Sequence, residues 1–187
     1  MDNAIFNEVV GSEPKGFIKE VGVFHLECFN AAGELLWTED AENALANEGE
    51  YAILDSVFRG GTAPAGYFLR LYNTTPGLTS TLATLAASEP ATQYGYAPAS
   101  QGITKDSTGW PLVPQLVSSH YEISSKTVTI TNSQAAGSGL NIGPVTNAAL
   151  ATTSDNTGKL MAYAALAATR TLAPGDSLQV TYKVRLQ

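Results

Sequence analysis

The sequence predicts a mainly β protein: an antiparallel β-sandwich, jelly-roll-like, with one α-helix packed on it and an extended N-terminal arm. Three observations predict it. Residues 173–187, "APGDSLQVTYKVRLQ", put Leu178, Val180, Tyr182, Val184 and Leu186 on one side and Ser177, Gln179, Thr181, Lys183 and Arg185 on the other. Such alternation marks a half-buried strand, because successive side chains leave a strand on opposite faces. Further short alternating or apolar runs recur between turns rich in Gly, Pro and Asn. Only one stretch carries persuasive helical spacing. Short strands, frequent turns and one early helix are the pattern of a sandwich.

Taken in order, residues 1–16 hold Gly11, Pro14 and Gly16 without sustained periodicity and read as an arm. A short strand is expected within it at Ile5–Val10, and Ile5, Phe6, Val9 and Val10 are candidate contacts to a partner. Residues 17–187 read as a single β-rich domain, long enough to bury a core. "FIKEVGVFHLECFN" alternates Phe24, Leu26 and Cys28 against His25 and Glu27; "NAAGE" is a turn and "LLWT" its return strand. "EDAENALANEGEYAILDSVFRGG" predicts a helix over about 40–59. Asp40 would cap it, acidic residues crowd its first turns, and Leu45, Tyr51, Leu54, Val57 and Phe58 share a face. Gly60-Gly61 would end it, and Gly49 is a point where it breaks or weakens.

"GYFLRLYN" predicts a strand with Tyr67, Leu69 and Leu71 on one side, and "TSTLATLAASE" a short helix. Residues 90–114 read as a long loop, which in a compact domain is either functional or pinned by a partner. Its aromatics Tyr94, Tyr96 and Trp110 are candidate contacts. "HYEISSKTVTITN" returns to strand, with Val128 and Ile130 inward. Residues 145–152 and 159–169 are apolar on both faces and flank the reversal "TSDNTG". They are expected to be central, or buried by a neighbouring subunit.

Composition narrows the function. Only 14% of residues are charged, against roughly 25% in ordinary soluble domains. Interface centres are depleted in charge in the same way. A net charge of −7 argues against a nucleic-acid partner, which needs clustered Lys and Arg. No run approaches the ~18 apolar residues that cross a bilayer, so no membrane partner is expected. The opening "MDNAIFNEVVGSEPKG" lacks a positive region and a long apolar segment, so synthesis in a cytoplasm without export is expected. Cys28 is the lone cysteine, which excludes an internal disulfide.

No catalytic, cofactor-binding or metal-binding constellation emerges. A nucleophile elbow of the form G-x-S-x-G is missing from the sequence. His25 and His120 are the only histidines, and the ordinary reading of each is an outward residue on a strand. "TSDNTGK" carries Asp, Asn and Gly but lacks the alternating acids and distant Glu of a calcium loop. Glu39, Asp40, Glu42, Glu48 and Glu50 fall within the predicted helix, where a solvated face is the ordinary explanation for paired carboxylates. "GGTAPAG" has no Lys to hold a phosphate. No enzyme and no cofactor are expected.

Two stretches resemble tailed-bacteriophage small virion structural proteins, of the capsid decoration (cement) or tail-associated type. "NALANEGEYAILDSVFRGGTAPAGYFLRLYNTTP" (43–76) is similar to a segment of that group in which N-x-x-x-N-x-G opens a helix, F-x-G-G-T breaks it, and a strand and turn follow. "GPVTNAALATTSDNTGKLMAYAALAATRTLAPGDSLQVTYKVRLQ" (143–187) is similar to the group's ending, with A-x-L-A-T, G-K-L, R-T-L and G-D-S-L-x-V-T-Y. The resemblance implies a virion component and supplies no catalytic residues.

The leading expectation is therefore a capsid decoration protein, located in the virion and assembled as a homo-oligomer. Its partners would be the major capsid protein, other virion proteins and copies of itself. A tail, collar or baseplate component is the alternative within the virion. A carbohydrate-binding host-recognition module is the alternative outside that class; it requires Tyr94, Tyr96 and Trp110 to form one exposed platform.

Overall fold

The computed structural model describes residues 20–186, so the expected arm, with Ile5, Phe6, Val9 and Val10, lies outside the described residues. Within them the architecture is two antiparallel sheets packed face to face with one main helix against an end. The closing alternation becomes a strand at Ser177–Leu186 (β11). The Phe24–Leu26–Cys28 alternation becomes one at Glu20–Phe29 (β1). These two pair antiparallel over their full length, from Glu20 opposite Leu186 to Phe29 opposite Ser177. Matched two-residue periods put Phe24, Leu26 and Cys28 beside Tyr182, Val180 and Leu178 on one buried face. The Phe24 and Tyr182 rings meet 4.6 Å apart.

The first sheet runs Leu35–Glu42 (β2), β1, β11, His120–Ser124 (β7) and Gln115–Val117 (β6). The expected strand at 120–132 is interrupted: Ser125 N donates to the Tyr182 carbonyl, and Tyr182 N donates to Ser125 Oγ. This side-chain substitution for a ladder bond splits it into β7 and Val128–Thr131 (β8), both paired to β11. Val128 and Ile130 face inward, as expected.

The second sheet orders Ala44–Leu45 (β3), Leu160–Leu172 (β10), Ile142–Ala151 (β9), Gly66–Tyr72 (β4) and Gly102–Thr104 (β5). Strand β9 is the middle strand and β10 is buried beside it over Leu160–Ala164, where both faces are apolar; Ala165 and Ala167–Thr169, later in the same run, are exposed. Register shifts between Leu160 and Ala162, so Met161 and Ala162 both enter the inner core. The outer face of this sheet is covered by the chain itself. Leu82 and Leu85, on a short helix at Leu82–Leu85 (α2), pack with Tyr72, Ala149, Ala151, Leu160 and Tyr163. The Thr81 hydroxyl accepts from Thr84 N and caps that helix.

The main helix is shorter than its sequence suggests. It spans Asn47–Phe58 (α1), and residues 39–46 are extended. Asp40 is therefore no cap; Ala46 occupies that position without a side-chain hydrogen bond. Glu39, Asp40 and Glu42 belong to β2, so the acidic cluster is not a helix face. Glu39 accepts from the Arg170 guanidinium at 2.9 Å and from Ala167 N, tying β2 to β10 along one side of the sandwich. Arg170 also lies over the Trp37 ring, 4.3 Å from its centre. Tertiary pairing outweighed local helix signals here, because acids placed in a first turn stabilise a helix only slightly.

Gly49 does not break α1. A Cβ there would sit 2.1 Å from the Met161 carbonyl oxygen, so glycine is what lets the helix lie directly on β10.

Candidate functional site

Two regions of the described residues gather several exposed large apolar side chains each, besides scattered ones such as Leu35, Leu36 and Leu78. The first is where α1 meets the open end of the sandwich. The residues expected to form the helix's buried face are instead mostly outward: Tyr51, Leu54, Val57 and Phe58 are exposed, Phe58 by 74%. Contact with β10 uses Gly49 and Ala52, the small residues. Between helix and sheets is a groove of about 1150 Å³. Its floor includes Tyr182 and Val184 from the first sheet and Tyr67, Leu150 and Met161 from the second; Leu54, Val57 and Phe58 form one wall. Glu50 and Lys105 are the charged groups that line it.

The second region is the β6–β7 hairpin. Ser118 and Ser119 both have positive φ, 48° and 74°, which gives the tight two-residue turn whose twist suits a hairpin. Strand β6 is at the edge of its sheet and every residue in it is exposed. Leu112, Val113, Leu116 and Tyr121 are each at least 60% exposed. An apolar edge strand without charge or proline inside it is a template for another chain.

The aromatic residues picked out in the long loop do not come together. Tyr96 is 1% exposed, so the expectation that it contacts a partner is corrected: its ring is in the core. Its hydroxyl donates to Glu89 and accepts from Leu71 N. Tyr94 is partly buried, with positive φ, and packs against the core. Trp110 is also partly buried, edge-on to Tyr67 with ring centres 6.2 Å apart, and lines the groove. The three form no exposed platform. The loop is pinned by its own chain: Tyr96, Pro98, Gln101 and Ile103 are buried, and Asp106 accepts from Thr108 N, Gly109 N and the Thr104 hydroxyl. Those bonds hold the Asp106 carboxyl below its ordinary pKa.

The most concentrated polar chemistry is sealed inside. Arg70 is 1% exposed and donates through Nε and Nη2 to both carboxylate oxygens of Glu89, at 2.6 and 2.5 Å. Its remaining donors reach the Asp155 carbonyl at 2.9 Å and Asn156 Oδ1 at 2.9 Å, so Arg70 ties the "TSDNTG" reversal to the sheet. Burial works against the Arg70 charge more than any other single effect, but the bond to Glu89 together with the Tyr72, Glu89 and Tyr96 charges outweighs it, and the Arg70 pKa is raised. Burial pushes the Tyr72 phenol up to about 12, and Tyr96 well above its ordinary value with help from the Glu89 charge. A buried, bidentate ion pair of this kind is a structural tie between β4, Glu89 and the reversal.

His25 does gather acids: Nδ1 lies 2.6 Å from Asp40 Oδ1, and Nε2 is 3.9 Å from Glu27. The group stands on the outer face of the first sheet, opposite Thr181, as the alternation predicts. His120 begins β7, with Nδ1 3.2 Å from the Ser118 carbonyl. Among the described residues no three His, Cys, Asp or Glu side chains are grouped to hold a metal. None of the described helices is long and apolar enough to cross a membrane. Burial raises the Cys28 thiol to about 11, with the Asp176 charge adding to the effect.

No family model matches the chain, and the curated proteins include no match to its sequence.

The hairpin surface was not singled out in the sequence because "QLV" is too short to show alternation. Its signal was composition: Leu112, Val113, Leu116, Val117 and Tyr121 crowd into ten residues next to two prolines.

Proposed function

We propose that this protein is a structural component of a bacteriophage particle, a capsid decoration protein that binds the major capsid lattice and neighbouring copies of itself. The observation that carries the reading is the exposed apolar hairpin β6–β7. It presents Leu116 and Tyr121, each more than 60% exposed, on an unpartnered sheet edge. A surface of this kind is stabilised by being covered. The resemblance of residues 43–76 and 143–187 to small virion proteins supports the same reading, as does the low charge content. In this role each bound copy bridges capsid subunits and adds buried area between them. Because it binds only the assembled lattice, it stabilises that state by mass action.

A tail, collar or baseplate position would use the same surface, and copy number separates the two. Quantitative mass spectrometry of purified particles is expected to find this chain in numbers comparable to the major capsid protein. A copy number that is a small fraction of it points to the tail, and absence from the particle defeats the reading. The carbohydrate-binding alternative has no aromatic platform to support it, since Tyr96 is inside the core.

A further inference from the structure

The groove under α1 and the β6–β7 hairpin share a face of the first sheet. Val184 and Leu186 of β11 and Ile123 of β7 line the groove, and Val184 pairs with Ile123. Carrying that register on by two residues brings Tyr121 beside Leu186, and Leu116 of β6 pairs with Tyr121 in turn. Side chains two apart along a strand point the same way, so Leu186, Tyr121 and Leu116 form one row on the groove's side of the sheet. Leu54, Val57 and Phe58 of α1 wall the same groove. We infer that this strip, groove and hairpin together, is a two-fold contact with a second copy of this chain. The inference rests on the reading of the hairpin as a contact surface, and names what covers its inner face.

Three observations select a second copy as the occupant. The first is area. Leu54, Val57, Phe58, Leu116, Tyr121 and Leu186 are each more than half exposed. Together they present on the order of 700 Å², close to the ~800 Å² that each partner gives to an interface of standard size. The second is charge. At a net charge of −7, two copies repel wherever that charge is displayed. Residues 107–121 contain no Asp, Glu, Lys or Arg, so the hairpin is where copies approach without that cost. The third is self-complementarity. In a two-fold contact the same patch serves both sides, so residue i meets j while j meets i. One acid, Glu50, and one base, Lys105, line the groove. They come from opposite sides of it: Glu50 follows Gly49, which lies on β10, and Lys105 follows β5, at the far edge of the second sheet. Two copies related by a two-fold can therefore set each Glu50 against the other copy's Lys105, which fixes orientation while the apolar row supplies the buried area. The contact leaves Leu112, Val113 and the free edge of β6 to the lattice.

Sedimentation velocity of the full-length chain across a dilution series tests this. Monomer is expected at high dilution, with dimer the species that grows as concentration rises. Phe58→Ser and Tyr121→Ser should each raise the dimer dissociation constant by at least about tenfold, with the circular dichroism spectrum unchanged because both side chains are exposed in the single chain. Glu50→Lys and Lys105→Glu should each weaken the dimer, and the two together should restore it. A chain that stays monomeric at every concentration overturns the proposal. So does a trimer or larger species, or a dimer indifferent to Phe58→Ser and Tyr121→Ser. Failure of the double charge exchange to restore the dimer overturns the pairing of Glu50 with Lys105. Copy number on purified particles is a separate readout. A monomeric chain abundant on particles defeats this inference and leaves the virion reading standing, and a dimeric chain absent from particles does the reverse.

Discussion

The second sheet has two flanks, and they are finished differently. On its outer face, α2 brings Leu82 and Leu85 onto Tyr72, Ala149 and Tyr163. Beside them, Arg70, Glu89 and Tyr96 satisfy one another out of reach of water. At the open end, α1 touches β10 through Gly49 and Ala52 and leaves its larger apolar residues outside. The first flank needs nothing more than this chain. The second, together with the β6–β7 hairpin, leaves large apolar side chains exposed among the described residues. The contrast separates residues that make the fold from residues available for contact.

The sharpest way to break the contrast is at the closed flank. Arg70→Ala leaves the Glu89 carboxylate buried without its partner, and should cost about 3–5 kcal/mol in denaturant unfolding. If Arg70→Ala is nearly neutral, the flank is not the sealed structure described. Gly49→Ala acts at the boundary between the flanks. The new methyl must displace the Met161 carbonyl or lift α1, and overpacking of this sort typically costs about 1–3 kcal/mol. The same change on an exposed helix would be stabilising, so the sign alone discriminates.

Alkaline pH gives a smaller, graded effect on the closed flank. Folded Tyr72 ionises near 12 rather than near its ordinary 10, because burial favours the neutral phenol, and Tyr96 is shifted the same way. The folded chain therefore keeps protons that the unfolded chain releases. This contribution is complete below about pH 10 and is lost as pH rises towards 12. Spectroscopic titration should show part of the tyrosine absorbance change arriving late and coinciding with unfolding. A single titration near pH 10 with the fold intact would count against it.

Strand alternation carried most of the fold. Leu178–Val180–Tyr182 and Phe24–Leu26–Cys28 predicted not only two strands but the face each buries, and those faces meet in register. The apolar run at 145–152 likewise identified the central strand β9, whereas the run at 159–169 is buried only through Ala164 and exposed at Ala165 and Ala167–Thr169. Where sequence reasoning failed, the deciding partner was distant. Glu39 is extended because Arg170, far along the chain, waits on β10. Ser125 divides a strand by bonding across to Tyr182. Neither carries a local signal. The contact surface was less legible still: Tyr96 has the composition of an exposed loop aromatic, and only the buried Arg70–Glu89 pair explains why it is inside.

The central proposal is that the β6–β7 hairpin is the surface that other protein covers. Hydrogen exchange of the chain free and bound on purified particles measures this directly. New protection is predicted at residues 112–121, with little gained around α2 and the 153–158 reversal. Protection concentrated on the α2 face, with the hairpin exchanging as fast as in the free chain, would contradict it.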